Sequence, residues 1–500
     1  MSIVTLFSRN SMQLVTFPIG EALVRYNCGV NGRSLLLCAL LSPLASMNGL
    51  TAQTPPSPAA LAKGIILDRV VTANHPDQSY ALYLPSDYSP DRFWPVVFSF
   101  DPGAHGKTPV ELQKEAAERY GYILAASNNS RNGPGGQQAE AADAMVQDAW
   151  SRFPLDNRRI YFAGFSGGAR VAAALALHCK CAAGVLLSGA GFPIGVEPSR
   201  DAAFPVFSAV GVFDFNYSEV LPLQDKLNQA GYAHWLRVFD GQHQWAPAEV
   251  MQEALEWFQV QAQKSRSSPR DAAFLNAQFA KDVARANSLE QSGNLLNAWR
   301  ENLQIAATFD GLLDVTAIRG KADSLGREKS VREGAKRERS EFDEQAQLTA
   351  RITGGLLNPV ESSPANPEDS TSLEDEVRQL HSRALAEKRP DHLRVYSRAV
   401  GNVAVASMES GSRFLEIKDY PSAIRSFRCA TEAAPEFATA WSNLAVAYSL
   451  VGRKKETFAA LRHARDVGKD PAAFADWALK EPALERWRSL PEFQALFNPH

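Results

Sequence analysis

The sequence predicts an α/β fold, a doubly wound and mainly parallel sheet, followed by an all-α region. Two observations support this prediction. Short apolar runs alternate with helical segments from residue 65 to residue 262, which is the pattern of a parallel sheet with crossover helices. Strand signals then stop at the polar, charged segment 264–270, and the chain beyond it is rich in Ala, Leu, Glu and Arg, which favour helices.

The overall composition is that of a soluble globular protein. The chain has 500 residues, of which 45% are hydrophobic and 21% are charged, and this is too apolar for a mainly disordered chain. The length exceeds what one hydrophobic core normally covers, so we expect two or three domains. The formal net charge of -3 gives no electrostatic reason to expect nucleic acid or a strongly acidic molecule as a partner.

The amino-terminal residues 1–52 have the character of a signal peptide. Arg25 and Arg33 precede the apolar run 35–41, which is followed by small residues and then by a Pro-rich segment. The apolar run is shorter than the roughly 20 residues that a membrane span requires. We therefore expect a leader over 1–52, a linker over 53–62 and export to the periplasm or the extracellular space. The alternative is a retained amino-terminal anchor.

The cysteines predict neither a disulfide framework nor a metal site. Loss of the leader leaves Cys179, Cys181 and Cys429. Cys179 and Cys181 are only two residues apart, which is too close for an ordinary disulfide without strain. No second cysteine pair exists to complete a zinc site. We therefore expect three small thiols, no metal and no cofactor.

Residues 63–262 are assigned to one catalytic domain on the basis of the alternating pattern. Strands are predicted at residues 65–71, 80–85, 94–100, 122–127, 159–163, 183–188, 205–210 and 235–239. Helices are predicted at residues 108–120, 137–153, 169–177, 219–230 and 247–262. Several of the strands are continuous apolar runs, as expected when both faces are buried. Functional sites of such sheets lie at the carboxyl ends of the strands.

The motif G-x-S-x-G at residues 164–168 lies between the fifth predicted strand and the third predicted helix. A serine on a sharp strand-to-helix turn is exposed at the edge of the sheet, and the glycines are needed because any side chain there would collide with the neighbouring elements. The motif therefore predicts Ser166 as a nucleophile and the backbone N–H of Gly167 as an oxyanion donor. The simpler interpretation is that Ser166 only caps a helix.

An acid and a base follow the serine in the order that this kind of sheet requires. Asp214 comes directly after the seventh predicted strand, and His243 lies in the loop after the eighth. In the order serine, acid, histidine, Ser166 is the nucleophile, His243 the general base and later acid, and Asp214 the group that orients the imidazole. Asp240 is a competing acid at another strand end, and Asp214 could instead begin a turn.

The loop after the third strand, residues 101–106, is predicted to supply the second oxyanion donor, either Gly103 or Ala104. His105 lies in the same loop, near the expected site. Residues 128–133, after the fourth strand, either line the substrate pocket or form a solvated loop. Eight histidines have no placement like that of His243 and are assigned to the surface or the core: His75, His105, His178, His234, His381, His392, His463 and His500.

Residues 60–262 resemble the serine esterases of the α/β-hydrolase fold, in particular secreted feruloyl esterase and polyhydroxyalkanoate depolymerase-like members. The resemblance lies in G-F-S-G-G around the serine and in G-Q-H-Q-W around the histidine, which is similar to their G-x-H-x-W. It implies hydrolysis of a small-molecule or polymeric ester through an acyl-enzyme at Ser166, with Asp214 and His243. The oxyanion loop reads D-P-G-A-H-G rather than the H-G-x-x of many esterases, so the substrate class stays open.

The carboxyl-terminal part is predicted to comprise a helical region over 271–355, a linker over 356–372 and a repeat-like helical domain over 373–500. Small or large residues recur at four pairs of positions that are 34 residues apart, which is the period of tetratricopeptide repeats, and the pattern resembles these repeats. The earlier copy has Gly411, Phe414, Phe427 and Ala430, and the later copy has Ala445, Tyr448, Leu461 and Ala464. Ser407 and Thr457 depart from the repeat pattern. The resemblance implies either a surface for protein partners or a structural cap on the catalytic domain.

Together these patterns predict an exported serine hydrolase of the α/β-hydrolase fold, joined to a tetratricopeptide-like helical domain. Two alternatives remain. Peptidases of the same fold share the order of serine, acid and histidine, so the substrate could be a peptide bond. A non-catalytic hydrolase-like domain could serve as a protein-interaction scaffold, although the intact order of the three residues argues against it.

Overall fold

The computed structural model of this protein describes residues 61–133, 135–357 and 372–497. The predicted leader 1–52 and most of the two predicted linkers, 53–62 and 356–372, lie outside the described residues. Within the described ranges, no helix combines the length and the apolar character that would let it cross a bilayer.

One eight-stranded sheet forms the centre of the amino-terminal half. Its strands are β1 (Ile66–Val71), β2 (Ser79–Tyr83), β3 (Trp94–Phe100), β4 (Ile123–Ser127), β5 (Leu155–Phe165), β6 (Ala182–Ser188), β7 (Val206–Gly211) and β8 (His234–Phe239). Their order in the sheet is β1-β2-β4-β3-β5-β6-β7-β8. Strand β2 is antiparallel to both of its neighbours, whereas β4, β3, β5 and β6 are mutually parallel.

Helices alternate with these strands along the chain. They are α1 (Lys107–Tyr120), α2 (Gly135–Arg152), α3 (Gly167–Cys179), α4 (Tyr217–Gln229) and α5 (Ala248–Lys264). A mainly parallel sheet of this order with flanking helices is the α/β-hydrolase fold, which the sequence predicts. Most predicted strands and helices match the observed ones to within two residues at each end; β5 differs most, because it begins four residues earlier than predicted.

Apolar side chains bury the middle of the sheet on both faces. All seven residues of β3 are buried, as expected from its continuous apolar run. Helix α5 packs against β5 and β6 through Phe258, whose ring stacks on Tyr161 at a centroid distance of 4.8 Å. A Cβ atom at Gly184 would lie 2.6 Å from the Phe258 ring, so a glycine is needed where the helix approaches the strand this closely.

The chain divides into two compact units. Of the described residues, the first unit comprises those up to 207 together with 227–234 and 247–271, and the second comprises 208–226, 235–246 and those from 272 onward. The second unit therefore contains most of β7, β8 and α4 and the loops that carry Asp214 and His243, in addition to the carboxyl-terminal helices.

The carboxyl-terminal region is all-helical, as predicted. Its helices are α6 (Ala272–Gln291), α7 (Leu295–Phe309), α8 (Thr316–Arg327), α9 (Lys329–Leu357), α10 (Leu373–Ala386), α11 (Pro390–Glu416), α12 (Tyr420–Ala433), α13 (Ala438–Leu450), α14 (Lys454–Val467), α15 (Pro471–Lys480) and α16 (Pro491–Gln494). The repeat-like positions lie in α11 to α14. The Phe427 ring of α12 packs on Gly411 of α11, and Ala445, Leu461 and Ala464 are buried between α13 and α14.

A buried charge network links α6 and α7 to β8 within the second unit. Arg237 of β8 donates to Glu301 at 3.3 Å, and Glu301 also accepts from Nε of Arg285 at 2.7 Å. Arg285 donates in addition to Asp282 at 2.8 Å. Burial raises the pKa of Asp282 to about 6, although the positive charge of Arg285 acts in the opposite direction.

The structure corrects one expectation about the cysteines, because Cys179 and Cys181 form a disulfide. Helix α3 ends at Cys179, and Lys180 adopts a left-handed conformation with φ of 51°. This turn brings the two Cα atoms to 5.1 Å, a separation that ordinary disulfides allow. Cys429 is free and buried, and burial raises the pKa of its thiol to about 12.

Candidate active site

Ser166 lies on a strained turn between β5 and α3. Its φ of 52° and ψ of −122° fall outside the regions that L-residues ordinarily occupy. Its N–H donates to the carbonyl oxygen of Ser188 at 2.8 Å, and its side chain makes no capping hydrogen bond to α3. The strained strand-to-helix geometry is that of a nucleophile elbow, and a simple helix cap does not account for it.

The glycines on either side of Ser166 are required by close backbone contacts. A Cβ atom at Gly164 would overlap the carbonyl group of Gly168, and one at Gly168 would overlap the carbonyl oxygen of Phe100. The predicted collision of any side chain at these positions is therefore confirmed. Gly167 is the first residue of α3, where helix geometry provides no intrahelical acceptor for its N–H.

The loop after β3 is organised by Asp101, which is buried. One carboxylate oxygen of Asp101 accepts the N–H of Gly103 at 2.8 Å, and its carbonyl oxygen accepts the N–H of Ala104 at 3.1 Å. Ala104 has a φ of 64°, a left-handed conformation that is unusual for alanine. Both predicted oxyanion donors of this loop therefore already donate to Asp101, and a substrate oxyanion would compete with Asp101 for either of them.

His105 is paired with the same aspartate. Its Nδ1 lies 3.1 Å from the Asp101 carboxylate, and its side chain is 74% exposed. The exposed imidazole thus contacts the buried carboxylate of its own loop, in agreement with the assignment of His105 outside the proposed triad.

Asn132 is a residue of the site region that sequence reasoning did not single out. Its N–H donates to the carbonyl oxygen of Pro102 at 2.8 Å, and Gly103 forms an isolated bridge with Arg131. The side-chain oxygen of Asn132 lies against Gly167, where it would overlap a Cβ atom. The polar composition of residues 128–133 indicated a loop at the rim of the site. The contacts of Asn132 with Pro102 and Gly167 join it to residues distant in sequence, so no local sequence pattern could predict them.

In the second unit, Asp214 and His243 form a hydrogen-bonded pair. Nδ1 of His243 lies 2.9 and 3.0 Å from the two carboxylate oxygens of Asp214. Asp214 is completely buried, and it also accepts the N–H of Asn216 at 2.8 Å. A carboxylate on Nδ1 favours the tautomer that carries its proton there and leaves Nε2 as the basic atom. The competing acid, Asp240, is exposed at the end of β8.

Backbone contacts fix the two loops against each other. The N–H of Val212 donates to the carbonyl oxygen of Phe239, and the N–H of Phe213 donates to that of Gly241, each at 2.9 Å. The Phe215 ring lies against the His243 imidazole with their centroids 4.1 Å apart. The acid and the base are thus held by the loops that follow β7 and β8.

In residues 61–133, 135–357 and 372–497, no group of three or more His, Cys, Asp or Glu side chains is suitably arranged for an ion. The described residues place a strained serine on the turn between β5 and α3, and a buried carboxylate paired with an imidazole on the loops after β7 and β8.

Comparison with known proteins finds likeness only among solved structures. No protein-family model matches the chain, and no curated protein matches it. The feruloyl esterase module of Clostridium thermocellum, solved with sinapinate, is 16% identical; the match covers 39% of this chain and 86% of that one, with a TM-score of 0.32. An esterase from Pyrobaculum calidifontis is 16% identical over 41% of this chain and 87% of its own, with a TM-score of 0.31.

A third similar structure is the fluorophosphonate-binding serine hydrolase F of Staphylococcus aureus, solved with substrate bound. It is 16% identical, the match covers 39% of this chain and 97% of that one, and the TM-score is 0.32. Each of these matches spans about two fifths of the present chain.

Proposed function

We propose that this protein is a serine hydrolase that cleaves carboxylic esters through an acyl-enzyme. Ser166 is the nucleophile, His243 the general base and acid, and Asp214 the residue that orients His243. The observation that carries the proposal is the buried Asp214 carboxylate on Nδ1 of His243. The Asp214 carboxylate is buried and paired with the His243 imidazole, and the same sheet carries the strained turn of Ser166. These three residues match the acid, the base and the nucleophile of a catalytic triad.

The chemistry proceeds in two halves. In the first half, Nε2 of His243 takes the Ser166 proton while the serine oxygen attacks the ester carbonyl, and His243 then protonates the departing alcohol. In the second half, His243 takes a proton from a water that attacks the acyl-serine, and it then protonates the Ser166 oxygen as the bond between serine and acyl group breaks and the carboxylic acid leaves. Asp214 stabilises the imidazolium that forms in each half and remains ionised throughout.

The oxyanion of each tetrahedral intermediate requires backbone donors. The N–H of Gly167 at the start of α3 is the first, and the loop of Gly103 and Ala104 supplies the second after one N–H is released from Asp101. One such donor is typically worth about 100- to 1,000-fold in kcat. We propose that the Asn132 amide, which lies against Gly167, contacts the bound acyl group.

The substrate class proposed is a small-molecule or polymeric carboxylic ester. Support comes from the sequence resemblance around Ser166 and His243. The further parts of the proposal are export, which rests on the charge and apolar pattern of residues 1–52, and binding of a protein partner by the helical region, which rests on its repeat-like residues.

The proposal is tested with Ser166→Ala, which removes the nucleophile from an otherwise intact elbow. We expect kcat for p-nitrophenyl acetate to fall by about a million-fold and covalent labelling by a fluorophosphonate probe to be lost. Ser151→Ala, at an exposed position near the end of α2, is the matched control and should keep both. Undiminished turnover by Ser166→Ala, or labelling at another residue, would refute the assignment.

A substrate panel separates ester from peptide cleavage. Short p-nitrophenyl esters, aryl esters and a polymeric ester are compared with peptide p-nitroanilides. We expect kcat/KM to be highest on an ester. Higher kcat/KM on the peptide amides would establish the peptidase alternative, and absence of turnover and labelling would favour a non-catalytic scaffold.

A further inference from the structure

Helix α11 reaches the loop that carries Asp214 through one buried arginine. The Arg398 side chain is 1% exposed, and its Nε donates to the carbonyl oxygen of Val212 at 2.9 Å. Its guanidinium lies over the Tyr217 ring at 3.8 Å from the centroid. Arg398 thus contacts the chain on both sides of Asp214.

Helix α9 reaches the same loop through a buried glutamine. Nε2 of Gln345 donates to the carbonyl oxygen of Phe215 at 3.1 Å, and Gln345 is itself buried. Glu341, one turn earlier in α9, accepts from Nη1 of Arg398 at 3.2 Å. This ion pair ties α9 to α11 at the point where both helices meet the loop.

The loop contacts converge on the acid and the base. The ring of Tyr217 lies under the Arg398 guanidinium, and the backbone N–H of Tyr217 donates to the carbonyl oxygen of Asp214 at 2.9 Å. Phe215, held by Gln345, lies against the His243 ring. A Cβ atom at Gly401 of α11 would come within 3.2 Å of the Phe215 ring, so the helix backbone also confines this side chain.

A buried arginine is costly to retain unless it has a specific task, because burial penalises its charge. Burial lowers the pKa of Arg398, while the nearby groups of Tyr217 and Glu341 act in the opposite direction. An apolar residue of similar volume could fill the same space. It could not donate a hydrogen bond to the carbonyl oxygen of Val212 while its charge lies over the ring of Tyr217, on the other side of Asp214.

We propose that Arg398 and Gln345 are positioning residues for the acid–base pair, which makes the carboxyl-terminal helices a working part of the catalytic centre. The inference rests on the proposed function and goes further, because it assigns a catalytic contribution to residues of the helical region. Both residues act through the loop backbone, and neither touches the reacting atoms. A displacement of about 1 Å in catalytic geometry can cost on the order of 100-fold in rate.

The test compares three variants of the full-length chain with a matched control. Arg398→Met removes both contacts of the guanidinium, Arg398→Lys keeps the charge and one donor, and Gln345→Leu removes the bond to Phe215. The control is Arg425→Met, because Arg425 also donates from one helix to a carbonyl oxygen on another, that of Gly355 at 2.9 Å, which is not part of the acid loop.

Three readouts are measured for each variant: the melting temperature, kcat and KM for p-nitrophenyl acetate, and the downfield proton resonance of the His243 Nδ1–H, assigned with a His243→Gln variant. We expect kcat of Arg398→Met to fall about 10- to 100-fold at unchanged KM, with loss or shift of the resonance. Gln345→Leu should show the same pattern with a smaller effect, and Arg398→Lys should recover part of kcat. Arg425→Met should keep both kcat and the resonance.

The proposal is overturned if folded Arg398→Met and Gln345→Leu both retain the kcat and the His243 resonance of the Arg425→Met control. Should Arg398→Met fail to fold, Gln345→Leu and Arg398→Lys decide by the same two readouts. The resonance reports the Asp214–His243 bond without any substrate. The positioning role therefore remains testable even if Ser166→Ala contradicts the proposed reaction.

Discussion

The two parts of the proposed catalytic machinery are held in place by different physical means. The serine turn is fixed by steric exclusion, because Gly164 lies against the carbonyl group of Gly168 and Gly168 lies against that of Phe100, where no side chain fits. The acid–base pair is fixed from a distance: Arg398, which holds the Asp214 loop at Val212, is 186 residues further along the chain. Steric exclusion by backbone carbonyl groups fixes the serine turn, whereas the acid and the base depend on polar contacts with remote helices.

The largest expected effect comes from removing the charge of Asp214, on which the polar contacts of the acid–base pair depend. Asp214→Asn preserves the size of the side chain but removes the charge that orients His243. We expect kcat to fall about 10,000-fold with little change in KM, measured on p-nitrophenyl acetate. Asp240→Asn, at the competing acid, is the control and should retain full activity. If Asp240→Asn is the inactive variant, the acid has been assigned to the wrong strand end.

A smaller effect, on the free energy of unfolding, is expected when a side chain is introduced into the crowded serine turn. Gly168→Ala places a methyl group onto the carbonyl oxygen of Phe100, so the strand or the helix must shift. We expect the free energy of unfolding to fall by about 3 kcal/mol or more, as for other severe backbone conflicts, with loss of fluorophosphonate labelling. Chemical denaturation measures the first effect.

The matched control for that prediction is Gly320→Ala. Gly320 lies within α8, and a Cβ atom there would meet no other atom within 4 Å. Alanine should therefore stabilise the helix by up to about 1 kcal/mol. A Gly168→Ala variant as stable as Gly320→Ala would show that the elbow tolerates a side chain, contrary to its geometry.

The smallest expected effect is a pH-dependent change in stability, caused by a second polar contact of the second unit, at Asp282. Burial raises the pKa of Asp282 to about 6, above the value of about 3.9 for an unfolded chain. The folded state therefore binds the proton more tightly, and the stability that Asp282 contributes is present below about pH 4 and is lost as pH rises to about 6. Asp282→Asn avoids this loss. We expect it to be more stable than the parent by about 1–3 kcal/mol above pH 6 and equal to it near pH 4.

Urea denaturation at pH 4, 5, 6 and 7 measures this difference. Asp314→Asn should change stability in the opposite sense at neutral pH, because hydrogen bonds from Thr316 lower the pKa of Asp314. A difference between parent and Asp282→Asn that does not vary with pH would mean that the pKa of Asp282 is the same in the folded and the unfolded chain, contrary to the effect of burial.

Much of the fold could be predicted because its signals are local. The apolar run Trp94–Phe100 predicts β3 with the ends that the structure shows, since a strand buried on both faces needs a continuous apolar sequence. The serine turn could be predicted for the same reason, because Gly164 conflicts with Gly168, four residues later. The conflict of Gly168 with the carbonyl oxygen of Phe100 is the exception, since Phe100 is distant in sequence.

What the sequence could not predict depends on backbone conformation or on distant partners. The Cys179–Cys181 disulfide depends on the left-handed turn at Lys180, which a lysine does not signal. The roles of Asn132 and Arg398 depend on contacts with Gly167 and Val212, and one asparagine in a polar loop or one arginine in a helix is unremarkable by itself. The chain order of Asp214 and His243 suggested their pairing, but not the helices that brace it.

The long separation between Val212 and Arg398 also has a consequence for synthesis. Ribosomes add about 5–20 residues per second, so roughly 10–40 s pass between the translation of Val212 and that of Arg398, which is 186 residues later. Throughout this interval the nascent chain has its serine turn but lacks the arginine that steadies its acid. If Arg398 acts as proposed, full hydrolytic activity is acquired only after Arg398 has been translated.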